Sequence, residues 1–298
     1  MVRVLVVGAS GFLGRHVVPA LEAADHEVLG ASRTGGHGLA RIGFGSRLPP
    51  EILSFAPEAV VNLAWSGIPD FSPAACRRNV AEQASLIDEV LGLESVRRLV
   101  VSGTCREYGD ALGVAGPETC PVDEFGRAKV EVHRHALESC RDHGVGLTWL
   151  RIFYVYGPGQ RPGSLIPTVL KALAEGRDPE IRDPTAVHDF VAVSDVALGV
   201  VAALGSTAEI EALDVGSGRL VTVGDIVDVA AGRTSAVDTV GLVGVERGLR
   251  ADVARITRAI GWRPEVDLVE GIGSMVVAGR LEAAKLGTDE PVEGEGPG

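Results

Sequence analysis

The sequence predicts an α/β fold, with a doubly wound parallel sheet followed by a smaller C-terminal α/β lobe. Three observations carry this expectation. Compact apolar runs of strand length recur along the first half of the chain, segments of helical period separate them, and the first run enters the first helical segment through glycines. Strands that are wholly apolar, without alternation, belong to a sheet covered on both faces, and parallel strands need helical crossovers between them.

Taken in order, VRVLVV (2–7) is β-branched and reads as the first strand, and RHVVPALEAADH (15–26) has the apolar spacing of a helix. HEVLGAS (26–32), EAVVNLAW (58–65), VRRLVVSG (96–103) and VGLTWLRI (145–152) are further apolar strands. Between them, CRRNVAEQASLIDEVL (76–91) and RAKVEVHRHALESCRDH (127–143) have helical period. After residue 157 the chain becomes rich in Pro and Gly, and shorter α and β pieces follow. The expected division is a first lobe of residues 1–157 to which 187–204 return, and a second lobe of 158–186 and 205–285. The acidic, Pro/Gly-rich end, 286–298, reads as a disordered tail.

The chain has 298 residues, 46% of them apolar, enough for a full core. A net charge of −12 with no basic run excludes the electrostatic footprint of a nucleic-acid binder or of a protein held on an anionic membrane. No stretch approaches the roughly 18 to 20 apolar residues of a membrane span, and the apolar start breaks at glycines without reaching a cleavage site, so a cytoplasmic location is expected. Cys76, Cys105, Cys120 and Cys140 have no CxxC spacing and read as free thiols, with no metal expected. Three of the 28 basic residues are lysines: Lys129, Lys171 and Lys285.

VVGASGFLG places Gly8, Gly11 and Gly14 between the first strand and the first helix. Glycine there allows a tight turn, lets the backbone approach a pyrophosphate, and packs the helix whose N-terminal amides face the anion. A dinucleotide site is therefore expected in the crevice beyond the carboxyl ends of the strands. The second strand ends in Ser32, Arg33 and Thr34, with no carboxylate to take a ribose 2′-hydroxyl. One guanidinium and two hydroxyls suit a 2′-phosphate, so NADP(H) is expected ahead of NAD(H).

Beyond this loop the chain resembles the extended short-chain dehydrogenase/reductase family of nucleotide-sugar epimerases, dehydratases and ketoreductases. The resemblance rests on GASGFLG, VVNLAW, RRNVAEQ, VVSGTCREYGD, FGRAK, LRIFYVYGPGQ, HDFVAVSDVA, LDVGSG and GWRPEVDLVEGI, spread over nearly the whole length. It implies a Rossmann-type sheet and a dinucleotide held by Gly8, Ser10, Gly11, Phe12, Leu13 and Gly14. Ser32, Arg33, Thr34, Leu63, Ala64, Trp65, Asn79, Ser102, Lys129 and Phe153 complete the implied cofactor set. Thr104 is then the hydroxyl for a substrate oxygen, and Lys129 the lysine that orients the nicotinamide ribose. Tyr154, Ser164, His188 and Arg250 fall where the family holds the nucleotide sugar, with His188 where arginine and Ser164 where asparagine is usual. The resemblance also implies a homodimer through the two central helices, whose Val80, Ala84, Ile87, Val130, Ala136 and Leu137 read as apolar surface beyond what the sheet requires.

Two departures shape the expected activity. The 4,6-dehydratases of the family follow their threonine with an Asp-Glu pair, whereas Thr104 precedes Cys105 and Arg106, neither of which can serve as that carboxylate. In DEFGRAK, Phe125 occupies the tyrosine position of YxxxK. A phenol there donates the proton that accompanies hydride transfer, so its loss is expected to cost about 10²–10⁴-fold in rate unless replaced. Four readings follow: another donor (Glu107, Tyr108, Cys105, Asp123, Glu124, Tyr154 or Tyr156), a slower relay through Thr104 and water, a binding protein without turnover, or a phenylalanine introduced to trap a ligand. The expected activity is NADP(H)-dependent 4-ketoreduction of a nucleoside-diphosphate 4-keto-6-deoxyhexose. The alternatives are a nucleotide-sugar 4-epimerase, and a catalytically impaired or trapped form.

Overall fold

The computed structural model describes residues 1–43, 45, 47–206, 210–237 and 247–286. The expected tail from 287 onward lies outside them. β1 (Arg3–Val7), α1 (Gly14–Ala23), β2 (Glu27–Ser32), β3 (Ala40–Arg41), α2 (Pro50–Phe55) and β4 (Ala59–Asn62) come first. α3 (Pro73–Leu91) leads to β5 (Arg98–Thr104), which runs into a 3-10 turn, Cys105–Tyr108, and then the two-residue β6 (Gly113–Val114). α4 (Glu124–His143) returns to β7 (Gly146–Ile152). The rest comprises β8 (Tyr154–Tyr156), α5 (Leu165–Ala174), β9 (Val187–Ala192), α6 (Val193–Leu204), β10 (Ile210–Val215), β11 (Leu220–Thr222), α7 (Val223–Ala230), β12 (Leu249–Arg250), α8 (Val253–Ile260) and α9 (Leu268–Leu286).

The two long central helices start at side-chain caps. Ser72 accepts from the amide of Ala75 at α3, and Asp123 accepts from that of Gly126 at α4. Such caps satisfy amides that a helix start leaves unpaired. α4 ends at Gly144, in the left-handed conformation (φ 64°) that favours glycine.

Seven parallel strands form the main sheet in the order β10-β7-β5-β4-β1-β2-β3. Successive side chains of β1 face opposite ways. Leu5 and Val7 join one buried layer with Leu86, Ile87, Val132, Ala136 and Trp149, whereas Val4 and Val6 join the other with Val17, Leu21, Val196 and Val200. The order reverses direction between β1 and β4, which opens a crevice at their carboxyl ends.

The lobe boundaries differ from the expected ones. β10 pairs with β7 in the large sheet, so the strand after α6 belongs to the first lobe and not the second. β8 and β9 pair with each other and, with β11, form a separate three-stranded sheet, so 187–204 returns to the large sheet through α6 and Val191 of β9 and not as a strand of it. An apolar strand fits either sheet equally well, and the sequence pattern does not show which edge it joins. The expected spare apolar surface on the central helices is also smaller than predicted. Ile87 and Ala136 are fully buried in this chain's core, and Val80 and Leu137 pack against it.

Candidate active site

The glycine loop and the loop after β4 face each other across the crevice. The Leu63 amide donates to the Val7 carbonyl, extending the contact of β1 with β4 by one residue. Gly8 has φ 88°, and a Cβ there would lie 3.0 Å from the Ala64 nitrogen. A Cβ on Gly14 would lie 2.6 Å from the Ala9 Cα and would also strike the Gly8 carbonyl oxygen. Bare glycines therefore let α1 start directly on the loop, with its amides towards the crevice. A cavity of about 170 Å³ there is lined by Gly8, Ser10, Gly11, Ser32, Arg33, Leu63, Ala64 and Trp65, which gathers eight of the expected cofactor residues. Among the described residues the buried indole N–H of Trp65 has no acceptor. The glycine cradle and this unpartnered donor fit a dinucleotide. Phe12, Leu13 and Gly14 lie at the start of α1. Thr34 is exposed beyond Ser32, whose hydroxyl accepts from the Gly35 amide.

Three buried amide side chains fix the loop after β4. Asn62 donates to Gln83 at 2.6 Å and accepts from the Ala64 amide, and Gln83 donates to the Ala64 carbonyl. Asn79 accepts from the Ser66 amide at 2.7 Å while donating to the Ser66 and Ala75 carbonyls. Both donors of Asn79 are thereby spent on backbone, so it shapes the crevice through Ser66. Asn62 and Gln83 escaped the sequence reading, although a polar residue ending an apolar strand is the kind of signal that a buried partner explains.

β5 delivers Thr104 to the site, and the turn after it closes as a capping box. The Thr104 hydroxyl accepts from the Arg106 amide, and the Glu107 carboxylate accepts from the Thr104 amide at 2.9 Å. Glu107 is fully buried and also accepts from the Trp149 indole at 2.9 Å and from Arg151 Nε at 2.8 Å. Arg151 donates to the Tyr108 hydroxyl, which donates to Asp214 at 2.6 Å. Burial and the Asp214 carboxylate push the Tyr108 phenol well above its usual range. Glu107 and Tyr108, expected as candidate acids, are thus committed to a buried network joining β5, β7 and β10, and neither presents a proton to the crevice.

The other expected donors are mostly occupied or masked. Burial pushes the Cys105 thiol up to about 12, and Tyr156 lies in the second-lobe core with its phenol raised by burial. Asp123 caps α4 and pairs with Arg106 at 2.8 Å, and Glu124 pairs with Arg127 at 3.1 Å on the surface. Tyr154, 42% exposed, packs its ring against His188, and burial raises its phenol.

Phe125 lies in an aromatic cluster, with ring centroids 4.6 Å from Phe71 and 5.2 Å from Trp65. Two cations flank this cluster. The Arg106 guanidinium stands 5.4 Å from the Phe125 centroid and 5.0 Å from that of Phe71. On the other side Lys129, one helical turn beyond Phe125, is buried with Nζ 4.4 Å from the Trp65 ring and 5.9 Å from that of Phe125. Its ammonium donates to the Ser102 carbonyl at 2.8 Å, and Ser102 in turn donates its hydroxyl to the Asn62 carbonyl. Burial pulls Lys129 down to about 8, against the Glu107 carboxylate, which holds it up. Ser102 and Thr104 at the end of β5 and Phe125 and Lys129 on α4 thus gather beside Trp65, which lines the crevice. The cation–aromatic packing of Arg106, Phe71 and Trp65 was not legible in the sequence.

A second cavity, of about 260 Å³, adjoins this end and is lined by Cys105, Arg106, Phe153, Tyr154, His188 and Leu249, among others. Tyr154 stacks on His188 at 4.3 Å, and burial lowers the His188 imidazole from its ordinary value. Fully buried Asp189 accepts from the amides of Ser217, Gly218 and Ala251, at 2.7, 2.9 and 2.9 Å. It thereby fixes the backbone beside Arg250, whose carbonyl accepts from Ala115 where β12 pairs with β6. Arg250 is exposed at that edge, and Ser164 caps α5 without a side-chain hydrogen bond, so neither lines this cavity. A wider depression of about 760 Å³ lies between α2 and α3, away from all of these residues, and brings together none of the expected site groups. Among the described residues no cluster of three metal-ligating side chains occurs, and no helix is long and apolar enough to cross a membrane.

Comparison with known proteins places this arrangement. The model of the NAD dependent epimerase/dehydratase family matches residues 4–216. A dTDP-6-deoxy-L-talose 4-dehydrogenase (NAD(P)(+)) of Kitasatospora kifunensis is 28% identical over 93% of this chain and 95% of its own length. A dTDP-glucose 4,6-dehydratase of an Actinoplanes strain is 26% identical over 92% of this chain and 96% of its own. The solved structure of MoeE5 with UDP-glucuronic acid and NAD superposes with a TM-score of 0.80 at 28% identity, covering 94% of this chain and 99% of that one.

Proposed function

Since the chain belongs to the NAD-dependent epimerase/dehydratase family, we propose that it is an NADP(H)-dependent oxidoreductase acting on a nucleoside-diphosphate sugar, and that it reduces the 4-keto group of a 4-keto-6-deoxyhexose. The observation that carries this reading is the convergence of the glycine crevice, Lys129 and Thr104 at a site where Cys105 and Arg106 stand after the threonine. With no carboxylate there, elimination of water has no acid or base, whereas hydride transfer to a held ketone needs none at that position. The likeness to a deoxytalose 4-dehydrogenase supports the sugar class.

The residues divide the work as follows. Gly8, Gly11 and the first turn of α1 hold the pyrophosphate, and Arg33 with Ser32 and Thr34 reads the adenosine ribose. When bound, the nicotinamide supplies or accepts the hydride. Thr104 donates a hydrogen bond to the substrate oxygen, and Lys129 orients the cofactor ribose. Tyr154, His188 and Arg250 take the nucleotide end of the substrate, and the planar fork of Arg250 suits phosphate oxygens.

Because Arg33 stands exposed where an acidic residue would favour the unphosphorylated ribose, NADPH is expected to bind at least tenfold tighter than NADH, about 1.4 kcal/mol. Fluorescence titration of both reduced cofactors checks this, and a tighter constant for NADH would remove the NADP assignment. Turnover of a panel of nucleotide-linked 4-ketosugars then tests the reaction. Interconversion of 4-epimers without net cofactor use would favour the epimerase reading, which the family's other activity supports. Saturable binding without any turnover would favour a binding protein.

The proposed assembly is a homodimer through α3 and α4, with Ala84 and Val130, both half-buried, among the apolar groups left to it. Light scattering at micromolar concentration is expected to give twice the chain mass; a monomeric mass would remove it.

A further inference from the structure

The expected proton donor is missing at Phe125, and the structure offers one group in its neighbourhood that is cationic, buried and without a carboxylate on it. Lys129 lies one turn along α4 from Phe125, on the same face, with Nζ 5.9 Å from that ring. Its ammonium donates to a neutral carbonyl, that of Ser102, two residues before Thr104 on β5. The indole face of Trp65 lies 4.4 Å from the same nitrogen. An ammonium held by a carbonyl and an aromatic face, out of water, is a better acid than one in solvent, because deprotonation removes a poorly solvated charge.

We propose that the Lys129 ammonium is itself the proton source in this chain, in place of the absent phenol, with Thr104 holding the substrate oxygen that receives it. The proposal rests on the ketoreductase reading above. In reduction, the carbonyl carbon gains the hydride from the reduced nicotinamide and a Lys129 N–H bond breaks as the O–H bond forms. One water spans the place of the phenol oxygen, and the neutral amine is reprotonated from solvent. In alcohol oxidation the neutral amine takes the proton as a base.

The groups facing Lys129 are compatible with this role. Glu107, from the turn after β5, holds the ammonium protonated, but it is saturated by Trp149, Arg151 and the Thr104 amide. Arg106 stands across the Phe125 ring and is neutralised by Asp123. On the side of α3, Trp65 and Ser66, whose hydroxyl donates to Glu82, stand with the amides Asn79 and Gln83, and Cys76, its thiol raised by burial, packs with Phe125. The tendency of burial to bring Lys129 down to about 8 agrees with the geometry. Tyr154 is the competing donor, but its ring is stacked on His188 in the second cavity and burial raises its phenol.

The small number of lysines makes the test direct. Protein labelled with ¹³C at lysine Cε carries three such residues, Lys129, Lys171 and Lys285. One resonance, absent from Lys129→Gln, is expected to titrate near 8. With saturating NADPH and a 4-ketosugar that is turned over, kcat for reduction is expected to fall about tenfold per pH unit above that same midpoint. The rate of alcohol oxidation is expected to rise through it. Lys129→Gln should lower kcat by a hundredfold or more. Lys129→Arg, which keeps a cation too basic to give up a proton, should bind NADPH and still fail to restore kcat; Phe125→Tyr should gain less than tenfold. The proposal is overturned by a Lys129 resonance titrating above about 10, by a pH profile with no step at its midpoint, by restoration in Lys129→Arg, or by a loss in Tyr154→Phe as large as in Lys129→Gln. If no ketosugar is reduced at all, the ketoreductase reading falls and the proton role with it; a flat pH profile with turnover removes the proton role alone.

Discussion

Replacing Glu107 with alanine is expected to cost about 3 to 5 kcal/mol of folding stability, the range for removing one partner of a buried ion pair. The side chain is fully buried and accepts from three donors on two strands: the Thr104 amide of β5, and the Trp149 indole and Arg151 Nε of β7. Alanine leaves the Arg151 guanidinium, itself almost fully buried, without its carboxylate, and strands the other two donors, each at about 1 to 3 kcal/mol. Little room exists for relaxation, because Gly103 has no side chain at the point where a Cβ would come 2.6 Å from Glu107 Oε1 and would strike the Trp149 indole nitrogen. Denaturant unfolding monitored by Trp fluorescence checks this, with a midpoint temperature lower by roughly 10 °C as the companion result. Glu124→Ala, which removes only an exposed pair with Arg127, should cost less than about 1 kcal/mol. A Glu107→Ala loss of the same size would mean that the buried network contributes nothing.

Gly14→Ala is expected to weaken dinucleotide binding by a hundredfold or more, about 2.7 kcal/mol, while leaving the fold assembled. The added methyl would meet backbone on both sides, at Ala9 and Gly8, and backbone cannot swing aside as a side-chain tip does. Relief requires α1 to withdraw from the loop, which takes its first amides away from the anion they face. Titration of NADPH against the variant, with circular dichroism to verify the helices, reads the effect. A dissociation constant within threefold of the parent would show that the loop is not the pyrophosphate site.

What the sequence discloses and what it withholds divide along a physical line. Local signals were legible: the apolar strands, the bodies of the two central helices, and the glycines between β1 and α1 all act within a few residues of themselves. The family resemblance that singles out Thr104, Phe125 and Lys129 also rests on local features, a spacing of four on a helix and the end of a strand. Partnership between distant segments was not. Glu107 reads as an available acid because nothing near it in sequence discloses that Trp149 and Arg151 converge on it from β7. Asn79 reads as a ligand contact for the same reason, although Ser66 consumes it. The edges of sheets were equally hidden, and β10 was assigned to the wrong lobe because its residues carry no mark of the strand they will pair with. One signal was available and unused: Arg151 inside TWLRI is a charge in an otherwise apolar strand, and such a charge requires a buried partner.

The clamp on the loop after β4 has a practical consequence for ionic strength. Asn62, Asn79 and Gln83 are uncharged at every working pH, and their hydrogen bonds are shielded from solvent. Salt screens charges over about 8 to 10 Å at ordinary concentrations but leaves such dipolar contacts nearly untouched. The wall of the crevice that carries Trp65 should therefore hold its shape from dilute buffer to concentrated salt. Any ionic-strength dependence of cofactor affinity would then report the phosphate contacts proposed for Arg33 and the glycine loop, free of a contribution from the wall's amide clamp.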